Sequence, residues 1–121
     1  MGRFVFQSWP ARFALLLFVG MASRPALAAD EAGVEFFEKN VRPVLVEHCY
    51  ECHGPDKQEA NLQVDTVGGM LRGGDQGPAV VPGDPDASLL VKGLRYDDID
   101  FQMPPKGKLA AEKIAAIEKW I

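Results

Sequence analysis

Two cysteines and a histidine stand in the run Cys49-Tyr50-Glu51-Cys52-His53, and their spacing suits one kind of chemistry. On a helix the two thiols lie about one turn apart, so that each can add to one vinyl group of the same porphyrin and form a thioether. The histidine that follows is then placed to bind the iron through its imidazole. A C-x-x-C-H run is the attachment signature of c-type haem. The motif therefore predicts one covalently bound haem c, with Cys49 and Cys52 as the thioether residues and His53 as an iron ligand.

The same cysteine pair has other known uses in proteins. It can be a thiol–disulfide redox pair, half of a zinc site, or a structural disulfide. A disulfide between cysteines this close would close only a small loop and would stabilise a small domain little. The motif alone leaves these alternatives open, and the rest of the chain bears on them.

The first 28 residues have the organisation of an export signal. Two arginines flank an otherwise uncharged start, an apolar run covers residues 13–22, and Ala26-Leu27-Ala28 has the small-x-small pattern of a signal-peptidase site. The apolar run is shorter than the roughly 20 residues that a membrane-spanning helix needs. We therefore predict a signal peptide over residues 1–28, an exported protein in the periplasm or another extracytoplasmic space, and no stable membrane insertion after cleavage. An uncleaved signal that stays as an anchor is the alternative.

The charge balance changes when the signal is removed. The chain has 13 Lys and Arg against 17 Asp and Glu, and three of the basic residues but no acidic ones lie in the signal, so residues 29–121 carry a formal charge of −7. An acidic domain has no electrostatic basis for binding nucleic acid or anionic lipid. The expected partner is a redox protein with a basic surface, or a downstream domain of the same polypeptide.

The part of the chain after the signal is long enough for one small domain. A domain of this size buries only about 60–65% of the surface of its extended chain. Twelve Gly and nine Pro in the whole sequence dilute the apolar core further. A buried porphyrin would supply the apolar centre that the polypeptide lacks.

The first predicted helices carry the cysteine motif. One helix, which Asp30 caps, runs to Val41, and Pro43 kinks or breaks it because proline lacks the N–H and clashes with the preceding turn. A short helix over residues 44–53 then carries the motif and ends at Gly54. The apolar side chains that form one buried face are Val34, Phe37, Val41 and Leu45.

Two more helices are predicted in the second half of the chain. Asp84 and Pro85 indicate the N-cap and first residue of a helix that stops at Gly93. The last helix covers Ala110–Ile121, and residues 61–66 form a short strand or an extended loop. The buried face of the last helix contains Ile114, Ile117 and Ile121. Turns are predicted at Gly68-Gly69, Gly73-Gly74 and Gly77-Pro78.

The sixth coordination position of the iron requires a second ligand. His48 directly precedes the motif, so it cannot reach the opposite face of the haem and is expected to be partly exposed or to contact a propionate. Of the two methionines that follow the signal, Met70 lies in a mobile, glycine-rich stretch. Met103 is followed by two prolines, which restrict the backbone and would hold a thioether toward the iron. We therefore predict Met103 as the distal ligand.

Histidine and methionine ligation raises the reduction potential of the iron and closes it to small ligands. It therefore predicts electron transfer, and no enzymatic activity for this domain alone. One alternative is a five-coordinate haem enzyme or sensor of the peroxidase kind, and another is a haem-free CxxC redox or metal module. The acids Asp97, Asp98 and Asp100 are consistent with an ordinary surface or with a calcium site.

Several motifs together resemble the planctomycete-type cytochrome c domain, which belongs to the broad class I cytochrome c group. The motifs are Phe36-Phe37, Val41-Arg42-Pro43-Val44-Leu45, Cys49-Tyr50-Glu51-Cys52-His53-Gly54, Gly73-Gly74, Val81-Pro82-Gly83-Asp84-Pro85, Ser88-Leu89-Leu90 and Met103-Pro104-Pro105-Lys106-Gly107. The resemblance covers about residues 34–121. It implies an all-α fold of the small class I cytochrome c type, in which N- and C-terminal helices pack beside a covalently bound haem and long Gly/Pro-rich loops connect them.

The resemblance also carries expectations about the ligands and the parent protein. By motif it implies thioethers at Cys49 and Cys52, a proximal His53 and a distal Met103. Such domains commonly lie near the amino terminus of a much longer exported protein with several domains. The last helix meets no stop signal before Ile121, which fits that arrangement. We therefore expect a cytochrome c domain over residues 29–121 that is cut at its C-terminal end and acts as an electron relay.

Overall fold

The computed structural model describes residue 2 and residues 26–121, so nearly all of the predicted export signal lies outside the described residues. The described part contains α-helices joined by loops and turns, and no strand, which confirms the all-α prediction for this part. Of the residues 61–66, Asn61 ends a 3₁₀ turn at Glu59–Asn61, and residues 62–66 form a loop. The helices are α1 (Ala26–Phe36), α2 (Arg42–His48), α3 (Tyr50–His53), α4 (Val67–Arg72), α5 (Leu89–Arg95) and α6 (Ala111–Trp120).

The helical path from α1 to α2 is continuous but irregular. Asp30 lies inside α1, whose described range is Ala26–Phe36, so the prediction that Asp30 caps the helix is wrong. A π-helical turn at Phe37–Val41 joins α1 to α2, and Pro43 lies in the first turn of α2. The first turn of a helix tolerates proline, because its backbone N–H would have no partner within the helix. The kink or break predicted at Pro43 is present only as a change of helix type just before the proline, without an interruption of the helical path.

The segment that carries the cysteine motif is split into two helices. The single helix predicted over residues 44–53 is wrong, because Cys49 has φ −123° and ψ −36°, outside the helical range. The Cys49 N–H still donates to the Leu45 carbonyl at 2.9 Å, so the path continues into α3. Gly54 ends α3 as predicted. A Cβ atom at this glycine would lie 2.4 Å from the Tyr50 carbonyl oxygen, which explains why no larger residue fits.

Helix α4 replaces the turn predicted at Gly68-Gly69. The Thr66 side chain caps α4, since its Oγ1 accepts a hydrogen bond from the Gly69 N–H at 3.0 Å. A Cβ atom at Gly69 would lie 2.4 Å from the Gln63 carbonyl oxygen, so this glycine permits close packing inside a helix. Met70 on the same helix is 1% exposed and belongs to the core. The expectation that Met70 lies in a mobile stretch is therefore wrong.

Helix α5 begins later and ends later than the sequence indicated. The Asp84 Oδ1 accepts a hydrogen bond from the Ala87 N–H at 2.9 Å, but it closes a turn, and α5 starts only at Leu89. The helix then continues through Gly93 to Arg95, so the predicted stop at the glycine is wrong. Gly93 is buried against another segment of the chain, and its lack of a side chain serves packing instead of helix termination.

The π-helical turn, α2, α4, α5 and α6 all contribute side chains to the core. The Phe37 and Trp120 rings lie 4.8 Å apart between centroids at an interplanar angle of 43°, so the first and last helical segments pack together as expected. Val34 is 57% exposed, and its predicted place on the buried face is wrong. Ile121 is only partly buried, whereas the other two isoleucines predicted on α6 are in the core. The buried core cluster comprises Val41, Val44, Leu45, Val64, Met70, Val80, Val91, Leu94, Ile114 and Ile117.

Along the described residues, no helix combines the length and the apolar character needed to cross a membrane.

Candidate haem site

One cavity brings together the four residues that the sequence nominated. It has a volume of about 250 Å³, and Cys49, Cys52, His53 and Met103 all line it. The first three come from the α2–α3 segment, whereas Met103 comes from the loop between α5 and α6. Residues 50 positions apart in the sequence are therefore neighbours around one space. Their roles as attachment residues and ligands stay predictions.

The rest of the cavity lining is largely apolar. A flat aromatic group with a hydrophobic body is stabilised by such surroundings, because its burial removes apolar surface from water. The polar groups lie mainly in the segments 59–60 and 74–77 and at Asp100. The apolar residues that line the cavity are Leu62, Val64, Ala79, Leu89, Leu90, Leu94, Phe101, Pro104 and Pro105. This lining suits the apolar body of a porphyrin.

The His53 ring is oriented by a hydrogen bond to the backbone. Its Nδ1 lies 3.1 Å from the Glu59 carbonyl oxygen. A carbonyl can only accept, so Nδ1 carries the proton and Nε2 keeps its lone pair. Ligating histidines in metal sites commonly have their second nitrogen fixed in this way. The backbone is fixed as well, since the Val64 N–H donates to the His53 carbonyl at 2.8 Å. The residues present therefore fit an axial imidazole ligand.

The two cysteines are free thiols, and Cys49 is poorly suited to thiol exchange. Burial raises the pKa of the Cys49 thiol to about 11, and the nearby Cys52 contributes to the same shift. Reactive redox cysteines have a lowered pKa, because the thiolate is the nucleophile. The environment of Cys49 is the opposite of that, which weighs against the CxxC redox alternative.

His48 lies at the edge of the cavity, beside a lysine and a glutamate. Its Nε2 is 3.1 Å from the Lys113 Nζ and 3.2 Å from the Glu47 Oε2. The side chain is 24% exposed, in agreement with the expectation of a partly exposed helix residue. The propionate contact stays a prediction.

The Met103 loop is packed against α5. The Met103 N–H donates to the Gly93 carbonyl at 3.1 Å, and a Cβ atom at Gly93 would lie 3.3 Å from the Met103 Cβ. The Met103 side chain is 40% exposed, and the peptide bond to Pro104 is cis. Met70, the other candidate, is packed in the core and does not line the cavity. Of the two methionines in residues 26–121, Met103 is thus the one that can face a bound haem.

A metal site other than haem iron would need several donor side chains close together. Within residues 26–121, no group of three or more His, Cys, Asp or Glu side chains is arranged to hold a metal ion. In the acidic loop, Asp98 pairs with Lys92 at 3.4 Å and also accepts a hydrogen bond from the Asp100 N–H at 3.1 Å. The described residues support neither a calcium site in this loop nor a zinc site that includes the two cysteines.

Three residues that shape the site were missed at the sequence level. The Glu59 backbone carbonyl orients His53, Gly93 makes room for the Met103 loop, and Tyr96 contacts the same loop through its phenol. A backbone carbonyl leaves no sequence signal. The glycine looked like a helix end, and the tyrosine lies in no periodic pattern. Only the folded chain brings them to the site.

Part of the chain matches the model of a known protein family. Residues 49–107 match the model of the family described as planctomycete cytochrome C. The matched range begins at the first cysteine of the motif and ends four residues after Met103, so it includes all four nominated residues. Searches of curated proteins and of solved structures found no match to the chain.

Proposed function

Because the chain carries a planctomycete-type cytochrome c domain, we propose that it transfers electrons through one haem c. Cys49 and Cys52 would hold the haem covalently, and His53 and Met103 would be the axial ligands. The observation that carries the proposal is the single cavity that all four residues line. When bound, the haem supplies an iron that alternates between Fe(III) and Fe(II).

In this proposal the residues of the chain bind the haem, orient its ligands and exclude water from the site. His53 presents Nε2 because its Nδ1 donates to the Glu59 carbonyl. Met103 would hold the iron through a neutral thioether, which would favour the reduced form and would occupy the position that oxygen or peroxide needs. The apolar lining keeps water from the site and so contributes to the potential. Outer-sphere electron transfer requires no acid, base or nucleophile, and we propose no enzymatic activity for this domain alone.

We further propose that the domain is an electron relay of an exported protein. The apolar run and the small-x-small site support export with cleavage after Ala28. The formal charge of −7 on residues 29–121 favours a redox partner, or a downstream domain, with a basic contact surface. The same charge disfavours nucleic acid as a partner.

The axial assignment is tested by a matched pair of substitutions. Met103→Leu should abolish the sulfur-to-iron charge-transfer band at the red end of the ferric spectrum and should allow CO to bind the reduced protein. Met70→Leu should keep the band and exclude CO, because Met70 is packed in the core and a Leu of similar volume is tolerated there. Optical spectra of the purified ferric and ferrous proteins give both readouts.

Three results would contradict parts of the proposal. A band that survives in Met103→Leu, or that is absent from the wild type, would refute the distal assignment. Binding of CO by the reduced wild type would instead favour the haem enzyme or sensor. A protein that is exported without haem would favour the thiol or metal module.

A further inference from the structure

The loop that carries Met103 is attached to the C-terminal end of α5 at three points. The Met103 N–H donates to the Gly93 carbonyl at 3.1 Å. The Gln102 Nε2 donates to the Tyr96 carbonyl at 3.5 Å, and the Tyr96 phenol O–H donates to the Pro104 carbonyl. Tyr96 therefore contacts the residue before Met103 and the residue after it.

The backbone of Tyr96 has an unfavourable conformation. Its φ of 63° and ψ of 22° lie in the left-handed region, where it ends α5. Glycine is the usual residue at such a helix end, because a Cβ atom crowds the carbonyl oxygen in this conformation. Non-glycine residues in strained conformations cluster at functional sites, where the surrounding structure holds them. A glycine at this position would relieve the backbone but would remove the phenol that reaches the loop.

The carbonyl that the phenol reaches belongs to a buried residue. Pro104 is buried, and buried carbonyl groups have hydrogen-bond partners in nearly all proteins. The Gly107 N–H also donates to this carbonyl, at 3.3 Å, but that bond closes the loop on itself. The bond from Tyr96 differs because it ties the loop to α5, and α5 is anchored in the core by Val91 and Leu94.

We propose that Tyr96 is the positioning residue of the distal ligand. Its phenol holds the Met103 loop against α5, so that the thioether stays directed into the cavity. The inference rests on the proposed function, in which Met103 is the distal ligand. Without the phenol the loop leaves α5 more often, and an external ligand then replaces Met103 more easily.

The test is a titration of the ferric haem-loaded protein with imidazole, which competes with Met103 for the iron. Tyr96→Phe keeps the ring and removes only the hydroxyl. We expect its affinity for imidazole to rise about three- to tenfold, which is the effect of one net hydrogen bond on an equilibrium constant. Thr66→Ala is the control, because it also removes one hydrogen bond, the one that the Gly69 N–H donates to the Thr66 Oγ1, and Thr66 does not line the cavity. Its affinity for imidazole should equal that of the wild type.

A second measurement separates positioning from general stability. Thermal unfolding by circular dichroism reports the stability of the whole domain for the same variants. A lower melting temperature in Tyr96→Phe with unchanged imidazole affinity would show a merely structural role and would overturn the proposal. An amino group in place of the hydroxyl at position 96, introduced as p-aminophenylalanine, retains a donor and should restore the wild-type affinity. Failure of this rescue would also count against the proposal.

The test distinguishes this inference from the function on which it rests. A wild type that shows the charge-transfer band, together with a Tyr96→Phe variant of unchanged affinity, overturns only the role of Tyr96. A wild type without the band overturns the distal assignment first, and the role of Tyr96 with it.

Discussion

The His53 imidazole has one nitrogen available to the cavity, and the main chain decides which one. The Glu59 carbonyl accepts from Nδ1, so the tautomer with a free Nε2 is selected. Glu59 itself lies in a 3₁₀ turn next to Ala60, whose φ of 54° is left-handed. An unusual turn therefore directs a carbonyl toward the histidine. The hydrogen bond therefore orients the imidazole to act as a ligand before any iron is bound.

The Cys49 thiol gives a pH-dependent prediction for the chain before haem attachment. Because burial raises its pKa to about 11, the thiolate is scarce at neutral pH and increases about tenfold for each pH unit up to that value. Alkylation of Cys49 at pH 7 should therefore be about a hundredfold slower in the folded haem-free chain than in the denatured chain, where the thiol regains its ordinary pKa of 9.0. Mass spectrometry of the peptide measures the rate at each pH.

The control for this prediction is the helix content. Circular dichroism should show that the haem-free chain keeps its helices during the reaction. A folded chain whose Cys49 reacts as fast as the denatured one would indicate an activated thiol and would support the redox alternative.

At the scale of the elements, Thr66 decides whether α4 forms. Its Oγ1 accepts the Gly69 N–H, and the helix that follows places Met70 in the core. Helix α4 has only six residues, two of them glycine, so its intrinsic helix propensity is low. The cap and the burial of Met70 compensate for that low propensity.

Removal of this cap should cost measurable stability. Thr66→Ala leaves the Gly69 N–H without its acceptor, and we expect the free energy of unfolding to fall by about 1 kcal/mol. Thr66→Ser retains the hydroxyl and should recover most of that loss. Denaturant unfolding of the haem-loaded protein gives both values. Equal stability of the alanine and threonine forms would mean that the cap does not hold α4.

The elements also show what the sequence could and could not predict. The long helical segments at both ends were found because their apolar residues repeat at helical spacing, as Ile114 and Ile117 do. Helix α4 and the passage of α5 through Gly93 were missed. In both cases a glycine in the sequence predicts a turn or a helix end. In the structure the glycine lies inside a helix and permits a close contact with another segment. The interruption at Cys49 likewise has no local signal.

The same distinction applies to the candidate site. The cysteines, His53 and Met103 could be nominated from residue type and spacing, since these carry their chemistry in the side chain. The contacts that orient them, from the Glu59 carbonyl and from Tyr96, depend on which segments the fold brings together. Contacts of this kind cannot be predicted from residue patterns or from periodicity.

At the scale of the whole molecule, the dominant electrostatic feature is the acidic balance of residues 29–121. The charges in the region of the cavity are of both signs, since Lys106 pairs with Glu51 at 2.9 Å and Asp75 and Asp100 line the cavity. Exposed pairs of this kind contribute little energy and are screened by salt. The long-range field should therefore follow the net charge of −7.

This field predicts opposite salt effects with two small redox reagents. Electron exchange with a cationic metal complex should slow as ionic strength rises, because screening removes an attraction. Exchange with an anionic complex should become faster over the same range. Stopped-flow kinetics of the haem-loaded protein measures both rates. The reverse pair of trends would mean that the lysines near the cavity govern the encounter, and would contradict the expectation of a basic partner.

The central claim is that Cys49 and Cys52 attach one haem covalently, and one measurement tests it most directly. Mass spectrometry of the exported protein after acid denaturation should give the mass of the polypeptide plus one haem, because thioether bonds survive unfolding. Replacement of both cysteines by serine should give the mass of the polypeptide alone. A wild-type protein that loses its haem on denaturation, or that never carries one, would contradict the account.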